Sequence, residues 1–95
     1  MSFRLTATER FLDQADRLPE EVRQQLVARL RFLEANQRHP SLQTHEIKHA
    51  IGDFGGKIFE SYVNAKYRMS WEYGSSRGEI FLRNVDNHDA CLNRP

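Results

Sequence analysis

The sequence predicts an α+β fold in which an N-terminal helical hairpin packs on one face of a small antiparallel β-sheet, a meander. Two patterns predict it. Apolar residues recur at helical spacing between positions 11 and 33, and apolar and polar residues alternate in three runs between positions 57 and 85. Strands that follow one another closely in sequence pair with their neighbours, and helices cover the apolar face of such a sheet.

The N-terminal part is predicted to hold a short strand and two helices. Alternation at positions 3–7 predicts the strand. Thr6 and Glu9 have the spacing of a capping box, in which each side chain bonds a backbone N–H at a helix start. Proline is tolerated in the first helical turn, so a second helix begins around Pro19 and ends within residues 36–40.

Three strands are predicted in the C-terminal half, over residues 58–63, 67–73 and 80–85. In the last of them the alternation places Asn84 on the same side as Leu82. Residues 45–51 fit either a strand or a helix, and a turn at 86–87 is expected to lead into a short tail.

Composition places the chain among ordinary globular proteins. Apolar residues make up 39% and charged residues 28% of the 95, which predicts one domain over residues 1–95 and excludes a disordered chain. The net charge is only +1, so an anion-binding surface must come from local arrangement. We expect neither a signal peptide nor a membrane span. Cys91 is the single cysteine, which fits the reducing cytoplasm.

A zinc-binding pattern occurs at His45-Glu46-x-x-His49. On a helix, H-E-x-x-H places two histidines on one face as zinc ligands, with the glutamate as base. The segment between Pro40 and Gly52 is too short for a long active-site helix, and no third ligand suggests itself nearby. A zinc hydrolase is therefore a remote alternative, and we expect no metal and no cofactor.

Basic residues on the predicted strands are candidates for binding a phosphate. Arg68 lies in the middle of a strand, and a guanidinium grips phosphate through two parallel hydrogen bonds. Lys57, Lys66 and Arg83 converge with it if the strands pair in register. The alternative is that all four are solvated charges balanced by nearby glutamates.

His88 is the candidate for proton transfer. An unperturbed histidine titrates near pH ~6.5, so it gives or takes a proton at neutral pH. Asp86 and Asp89 lie beside it and are placed to orient the ring. The alternative is a loop histidine without a chemical role. Cys91 is interpreted as a small packing residue.

The strands also carry aromatic residues, on which RNA bases stack with little sequence demand. For Trp71 we favour the alternative, that it belongs to the core under the helices. Tyr62 and Tyr67 fit either interpretation.

The whole layout resembles the RelE/ParE superfamily of toxins from type II toxin–antitoxin systems. The motifs that carry the resemblance are Val63-Asn64-x-x-Tyr67-Arg68, then Glu79-Ile80-Phe81-Leu82, and then His88-Asp89. The first of these with the late histidine is most similar to the HigB and YafQ branches. Strand, helical hairpin and meander together span nearly the whole chain.

The resemblance implies a metal-independent mRNA endoribonuclease that acts on the translating ribosome. A base removes the proton of a ribose 2′-OH, cations stabilise the transition state, and an acid protonates the leaving 5′-oxygen. Arg68 matches the strand arginine that contacts the scissile phosphate, and His88 matches the late histidine that acts as acid or base. Lys57 lies where RelE-type toxins carry a basic strand residue, and Lys66 and Asp89 are predicted from their proximity to these residues. With Tyr67 and Arg83 they are the predicted substrate-binding residues.

Two departures from the RelE pattern leave an alternative open. Residues 89–95 contain no tyrosine, and His88 stands in the late-arginine position, so a single histidine must carry the reaction. The ParE branch shares the fold but inhibits DNA gyrase without catalysis, and this is the second hypothesis. Both imply a cytoplasmic toxin that a cognate antitoxin protein masks.

Overall fold

The computed structural model describes residues 2–95, and this part of the chain forms five strands and three α-helices. The strands are β1 (Arg4–Ala7), β2 (His45–Ile51), β3 (Lys57–Tyr62), β4 (Tyr67–Tyr73) and β5 (Glu79–Asn87). The helices are α1 (Glu9–Arg17), α2 (Glu20–Ala35) and α3 (His88–Asn93), with a short 3₁₀ turn at Pro40–Leu42. No helix among these residues is long and apolar enough to cross a membrane.

One mixed sheet organises the fold, with strand order β1-β5-β4-β3-β2. Strands β2 to β5 pair antiparallel as a meander, which confirms the predicted α+β class. Residues 45–51, which fitted a strand or a helix, form the edge strand β2. Strand β1 lies parallel to β5, with Leu5 opposite Ile80, so the sheet is not purely antiparallel.

The start of α1 lies two residues later than the capping-box spacing predicts. Thr8 is the N-cap, because its Oγ1 accepts a hydrogen bond of 3.0 Å from the Phe11 N–H. Thr6 belongs to β1 and its hydroxyl donates to Glu79 instead. Pairing with β5 therefore holds the chain extended until Thr8, whose own N–H donates to Leu82 O. Helix α2 follows Pro19 as predicted.

The main core lies between the α1–α2 hairpin and one face of the sheet, which we call the α1/α2 face. Phe11, Leu26 and Leu33 from the helices pack there with the inward residues of the strands. Trp71 is 1% exposed, which confirms its place in the core, and its Nε1 donates to Ser61 Oγ at 2.9 Å.

The opposite face of the sheet, which we call the α3 face, is partly covered by α3 and the residues after it. The predicted turn at 86–87 is wrong, because β5 continues to Asn87, which then caps α3 by accepting from the Ala90 N–H at 2.9 Å. Cys91 is the fully buried residue of α3. Pro95 O accepts hydrogen bonds from Ser70 on β4 and from Arg83 on β5. This segment brings His88 onto the sheet.

A shift of register between β4 and β5 changes which side chains share this face. Ser70 lies opposite Asn84, but the next residue, Trp71, lies opposite Leu82, so Arg83 is the extra residue of a bulge. Asn84 is consequently on the α3 face, where its Nδ2 donates to Arg94 O. The strict alternation that placed Asn84 beside Leu82 is therefore wrong.

Candidate active site

A buried glutamate on the α3 face has three basic side chains around one of its oxygens. Glu60 is fully buried, and its Oε1 lies 3.2 Å from His45 Nε2, 3.7 Å from His88 Nδ1 and 4.0 Å from Arg68 Nε. We call these four residues the Glu60 cluster. It combines one carboxylate with a guanidinium and two imidazoles, and an imidazole becomes positively charged when it binds a proton.

The register of the sheet builds the Glu60 cluster from residues that are distant in sequence. His45 lies directly opposite Glu60 on β2, and Arg68 lies opposite Tyr62 on β4. His88 arrives as the first residue of α3, held by a hydrogen bond of 2.9 Å from its backbone N–H to Lys66 O. Three strands and one helix start therefore converge on one carboxylate.

Glu60 is costly to bury in this way. Among residues 2–95, neither of its carboxylate oxygens has a partner with hydrogen-bond geometry, although the two imidazoles and the guanidinium are within ion-pair distance. An unsatisfied buried polar group costs about 1–3 kcal/mol, and more when it is charged. A protein keeps such a group where function requires it, so this glutamate marks a candidate site.

Arg68 is held in one orientation. Its Nη1 donates to Asn64 O in the preceding turn and to Tyr67 O at the start of β4, and its guanidinium lies 4.7 Å from the Tyr62 ring centre. The Nε faces Glu60, and Nη2 makes no hydrogen bond with residues 2–95. A fixed guanidinium with a donor to spare suits recognition of a phosphate.

The two histidines differ in how their ring nitrogens are used. His45 has both engaged: Nε2 faces Glu60, and Nδ1 lies 3.2 Å from Gln43 O. His88 turns Nδ1 towards Glu60, and its Nε2 makes no hydrogen bond or ion pair with residues 2–95. Both side chains are accessible, at 56% and 45% exposed. His88 is therefore the histidine with a nitrogen available to a substrate.

Arg83, a predicted substrate-binding residue, lies on the same face but in a different set of contacts. Its Nη1 lies 2.7 Å from Glu72 Oε2 and 3.2 Å from Asp53 Oδ2, and its Nε donates to Pro95 O at 2.9 Å. Glu72 is 1% exposed, so this is a buried ion pair with two further partners. The arrangement is that of a structural network.

The remaining predicted residues are spread over the molecule, so the basic side chains do not converge as a set of four. Lys57 lies on the α1/α2 face near Glu46, at 3.9 Å. Lys66 extends over the Tyr67 ring at the β3–β4 turn, and that ring is half-buried on the helix side. Asp89 is exposed in the first turn of α3. The structure brings together only Arg68 and His88 of the predicted residues.

Sequence reasoning did not assign Glu60 and His45 to the site. His45 was considered only within the H-E-x-x-H pattern, and Glu60 only as a charge that balances the basic residues. In β2 the pattern is extended, so His45 faces Glu60 while Glu46 points to the other face. The helical geometry that the zinc-hydrolase alternative needs is not formed. The available signal for Glu60 is that Ile58 and Tyr62, which alternation places on the same side of the predicted strand, are not charged.

Cys91 packs against this cluster as a buried thiol, which confirms its interpretation as a packing residue. Burial, followed by the charge of Glu60, raises the pKa of the Cys91 thiol to about 12. Only the thiolate is reactive, and its fraction falls tenfold for each unit by which the pKa exceeds the pH.

We expect the native Cys91 thiol to react with DTNB at pH 8 at least ~10³-fold more slowly than in urea-unfolded protein. Absorbance of the released thionitrobenzoate measures both rates, and the unfolded chain supplies the internal control. Equal rates in the two states would show that the thiol is accessible and that its pKa is not raised.

Comparison with known proteins supports the fold. No protein-family model and no curated protein sequence matches the chain. Among solved structures, a chain of the archaeal RelE–RelB complex from Pyrococcus horikoshii has a TM-score of 0.72 at 11% identity, over 92% of this chain and 96% of that one. The YoeB/ParE toxin from Agrobacterium tumefaciens has a TM-score of 0.69 at 10% identity, over 90% and 98%. YafQ from E. coli has a TM-score of 0.64 at 8% identity, over 93% and 96%. The chain therefore shares the fold of these RelE, YoeB/ParE and YafQ structures.

Proposed function

We propose that this protein is the toxin of a type II toxin–antitoxin system and acts as a metal-independent endoribonuclease on mRNA. The observation that carries the proposal is the Glu60 cluster. It brings an imidazole, that of His88, and a guanidinium, that of Arg68, to one buried carboxylate. It does so in the fold of RelE, YoeB/ParE and YafQ toxins.

The proposed reaction needs only side-chain chemistry. A base takes the proton of a ribose 2′-OH, and the oxygen forms a bond to the adjacent phosphorus. The bond from phosphorus to the 5′-oxygen breaks, and an acid protonates that oxygen, leaving a 2′,3′-cyclic phosphate and a free 5′-OH. His88 Nε2 transfers one of these protons, and the Arg68 guanidinium binds the phosphate oxygens that gain charge.

Glu60 and His45 support this chemistry in different ways. Glu60 is fully buried, so its carboxylate does not reach a substrate. Glu60 is instead a positioning residue, whose charge faces His88 Nδ1 at 3.7 Å. His45 lies at the opposite side of the same oxygen with both ring nitrogens engaged, so it helps to position Glu60 rather than to transfer a proton.

The proposal includes a partner and a place of action. The Pyrococcus RelE chain of the same fold occurs in a complex with RelB. We propose that a cognate antitoxin protein likewise binds this chain and masks the Glu60 cluster. Its mRNA substrate, presented on the ribosome, places the toxin in the cytoplasm.

The experiment that tests the proposal is induced expression in a bacterium, with growth and transcript integrity followed together. We expect arrest with cut transcripts for the wild type, and cleavage about 10²–10³-fold slower for Arg68→Ala, the cost of removing one donor to a charged transition state. Arg77→Ala is the matched control, because Arg77 is an exposed arginine of the β4–β5 loop. The products should carry cyclic phosphates.

Arrest with intact transcripts would contradict the nuclease and favour the gyrase hypothesis, which a DNA supercoiling assay then tests. Arg68→Ala also loses bonds to the β3–β4 turn, so its urea midpoint must be compared with that of the wild type. Undiminished cleavage by a folded Arg68→Ala variant would remove Arg68 from the site.

A further inference from the structure

A second recess lies on the α1/α2 face, beyond the end of α2. It is a cavity of about 290 Å³ with an aromatic wall formed by Phe59, Trp71 and Tyr73, and it opens towards Arg38 and Lys57. A neighbouring recess of about 280 Å³ shares Lys57, Phe59 and Tyr73 with it, so the two form one continuous groove. Small-molecule sites begin at roughly 300 Å³, which suits a ligand the size of a single nucleoside.

The rings of this wall leave an aromatic surface for a flat ligand. Phe59 stacks one side on Trp71, with centroids 4.8 Å apart and planes at 26°, so its other side borders the recess. Tyr73 stands nearly perpendicular to both, at 76° and 88°, and is 45% exposed. Core closure does not require a tyrosine this exposed. A stacking surface with a perpendicular wall is the arrangement that holds a nucleobase.

The polar groups around the groove match a nucleotide. Arg38 and Lys57 are exposed cations at its rim, where they would meet phosphates. Inside, Glu46 offers a carboxylate whose Oε1 lies 3.9 Å from Lys57 Nζ, which leaves Oε2 for a ligand. Gln37 offers its Oε1, and its Nε2 donates to Leu33 O at 2.6 Å. Burial raises the pKa of the Tyr73 hydroxyl. The Glu46 carboxylate and Gln37 Oε1 are acceptors, which suits a base that presents amino and imino hydrogens.

The groove also meets the Glu60 cluster. His45 lines the aromatic recess and approaches Glu60 on the other side of the edge strand β2. An RNA strand whose scissile phosphate lies at Arg68 and His88 would therefore pass His45 as it turns around this edge. The cations Arg38 and Lys57 at the rim and the aromatic rings inside suit a nucleotide, whereas a surface for an apolar peptide segment would not need the cations.

We propose that the groove walled by Phe59, Trp71 and Tyr73 binds a base of the RNA next to the cleavage site, and that Glu46 selects guanine over uracil. The proposal deepens the proposed ribonuclease function and rests on it for the identity of the ligand. Guanine presents an amino group that uracil lacks. A charge-assisted hydrogen bond to that group makes guanosine nucleotides bind about tenfold or more tightly than uridine nucleotides.

The test uses the intrinsic fluorescence of Trp71, the chain's single tryptophan, which forms part of the wall. We titrate the full chain with GMP and with UMP and expect a saturable change with the stated preference. Tyr73→Leu weakens binding of both about tenfold, from loss of stacking. Glu46→Gln abolishes the preference while retaining binding. The control is Phe54→Leu, which alters an exposed aromatic outside the groove.

The outcomes separate this site from the nuclease. We expect the His88→Ala variant to bind GMP as the wild type does, because His88 does not line the groove. Saturable, guanine-selective binding by a chain that cuts no RNA would uphold the site while the nuclease fails. No fluorescence change with either nucleotide at millimolar concentration, or an unchanged response in Tyr73→Leu, would overturn it even if the chain cuts RNA.

Discussion

Replacing His88 by alanine is expected to lower the rate of RNA cleavage by about 10²–10⁴-fold, the usual effect of losing a general acid or base. The ring is half-exposed, and its backbone N–H to Lys66 O remains in the variant, so the fold should be retained. Cleavage of a labelled RNA under single-turnover conditions, with ribosomes present, measures the rate. His49→Ala is the matched control, since His49 is an exposed histidine outside the Glu60 cluster.

The role of Glu60 adds a second requirement to this prediction. Glu60→Gln keeps the shape of the side chain but removes the charge that His88 Nδ1 faces. Because Glu60 acts through His88, the two losses are not additive. Glu60→Gln should slow the wild type and add little in the His88→Ala background. Full additivity would mean that the carboxylate contributes by another route, and full activity of His88→Ala would reject the proposed mechanism.

The elements that sequence predicts well are those set by local contacts. Alternation and turn residues define β3 and β4, and Pro19 marks the start of α2, because these signals need no knowledge of distant partners. The parallel pairing of β1 with β5 joins residues about 75 positions apart. Nothing in residues 3–7 specifies that partner, so only the folded chain reveals it.

The bulge at Arg83 shows a second limit of sequence patterns. Alternation continues through residues 80–85 as if the strand were regular, with Asn84 on the side of Leu82. The structure inserts one residue and turns Asn84 to the α3 face, where Arg94 O receives its hydrogen bond. The groups that accept from Arg83 and Asn84 lie just after α3, and so short a C-terminal segment carries no periodic signal.

The residues of the candidate site also differ in whether local sequence signals or only the folded chain identifies them. Arg68 and His88 can be proposed from a short motif and a position near a strand end. Glu60 and His45 become part of the site only through the β2–β3 register, which places His45 opposite Glu60. A buried carboxylate also reads as an ordinary surface charge until its burial is known. Residue type thus indicates the chemistry that is available, and register decides which groups meet.

Arg83 shows the converse, a residue whose type suggests phosphate binding and whose contacts are structural. Replacing it by alanine is expected to lower the free energy of unfolding by about 3–5 kcal/mol, the cost of leaving one member of a buried ion pair uncompensated. Glu72 is 1% exposed and also accepts from the Asp53 and Phe54 backbone N–H groups, at 2.9 and 3.0 Å. The same carboxylate therefore fixes the β2–β3 loop.

Urea unfolding of Arg83→Ala beside Arg77→Ala measures this cost, and Arg77, exposed in the β4–β5 loop, should show a change near zero. The double variant Arg83→Ala/Glu72→Gln removes the charge left behind while the amide oxygen still accepts one backbone N–H. If the buried charge is the cause, the double variant is more stable than Arg83→Ala alone. Since small domains have a total stability of about 5–15 kcal/mol, the single variant loses a large share of it. If Arg83→Ala unfolds at the same urea midpoint as the wild type but cleaves RNA more slowly, Arg83 binds substrate and is not structural.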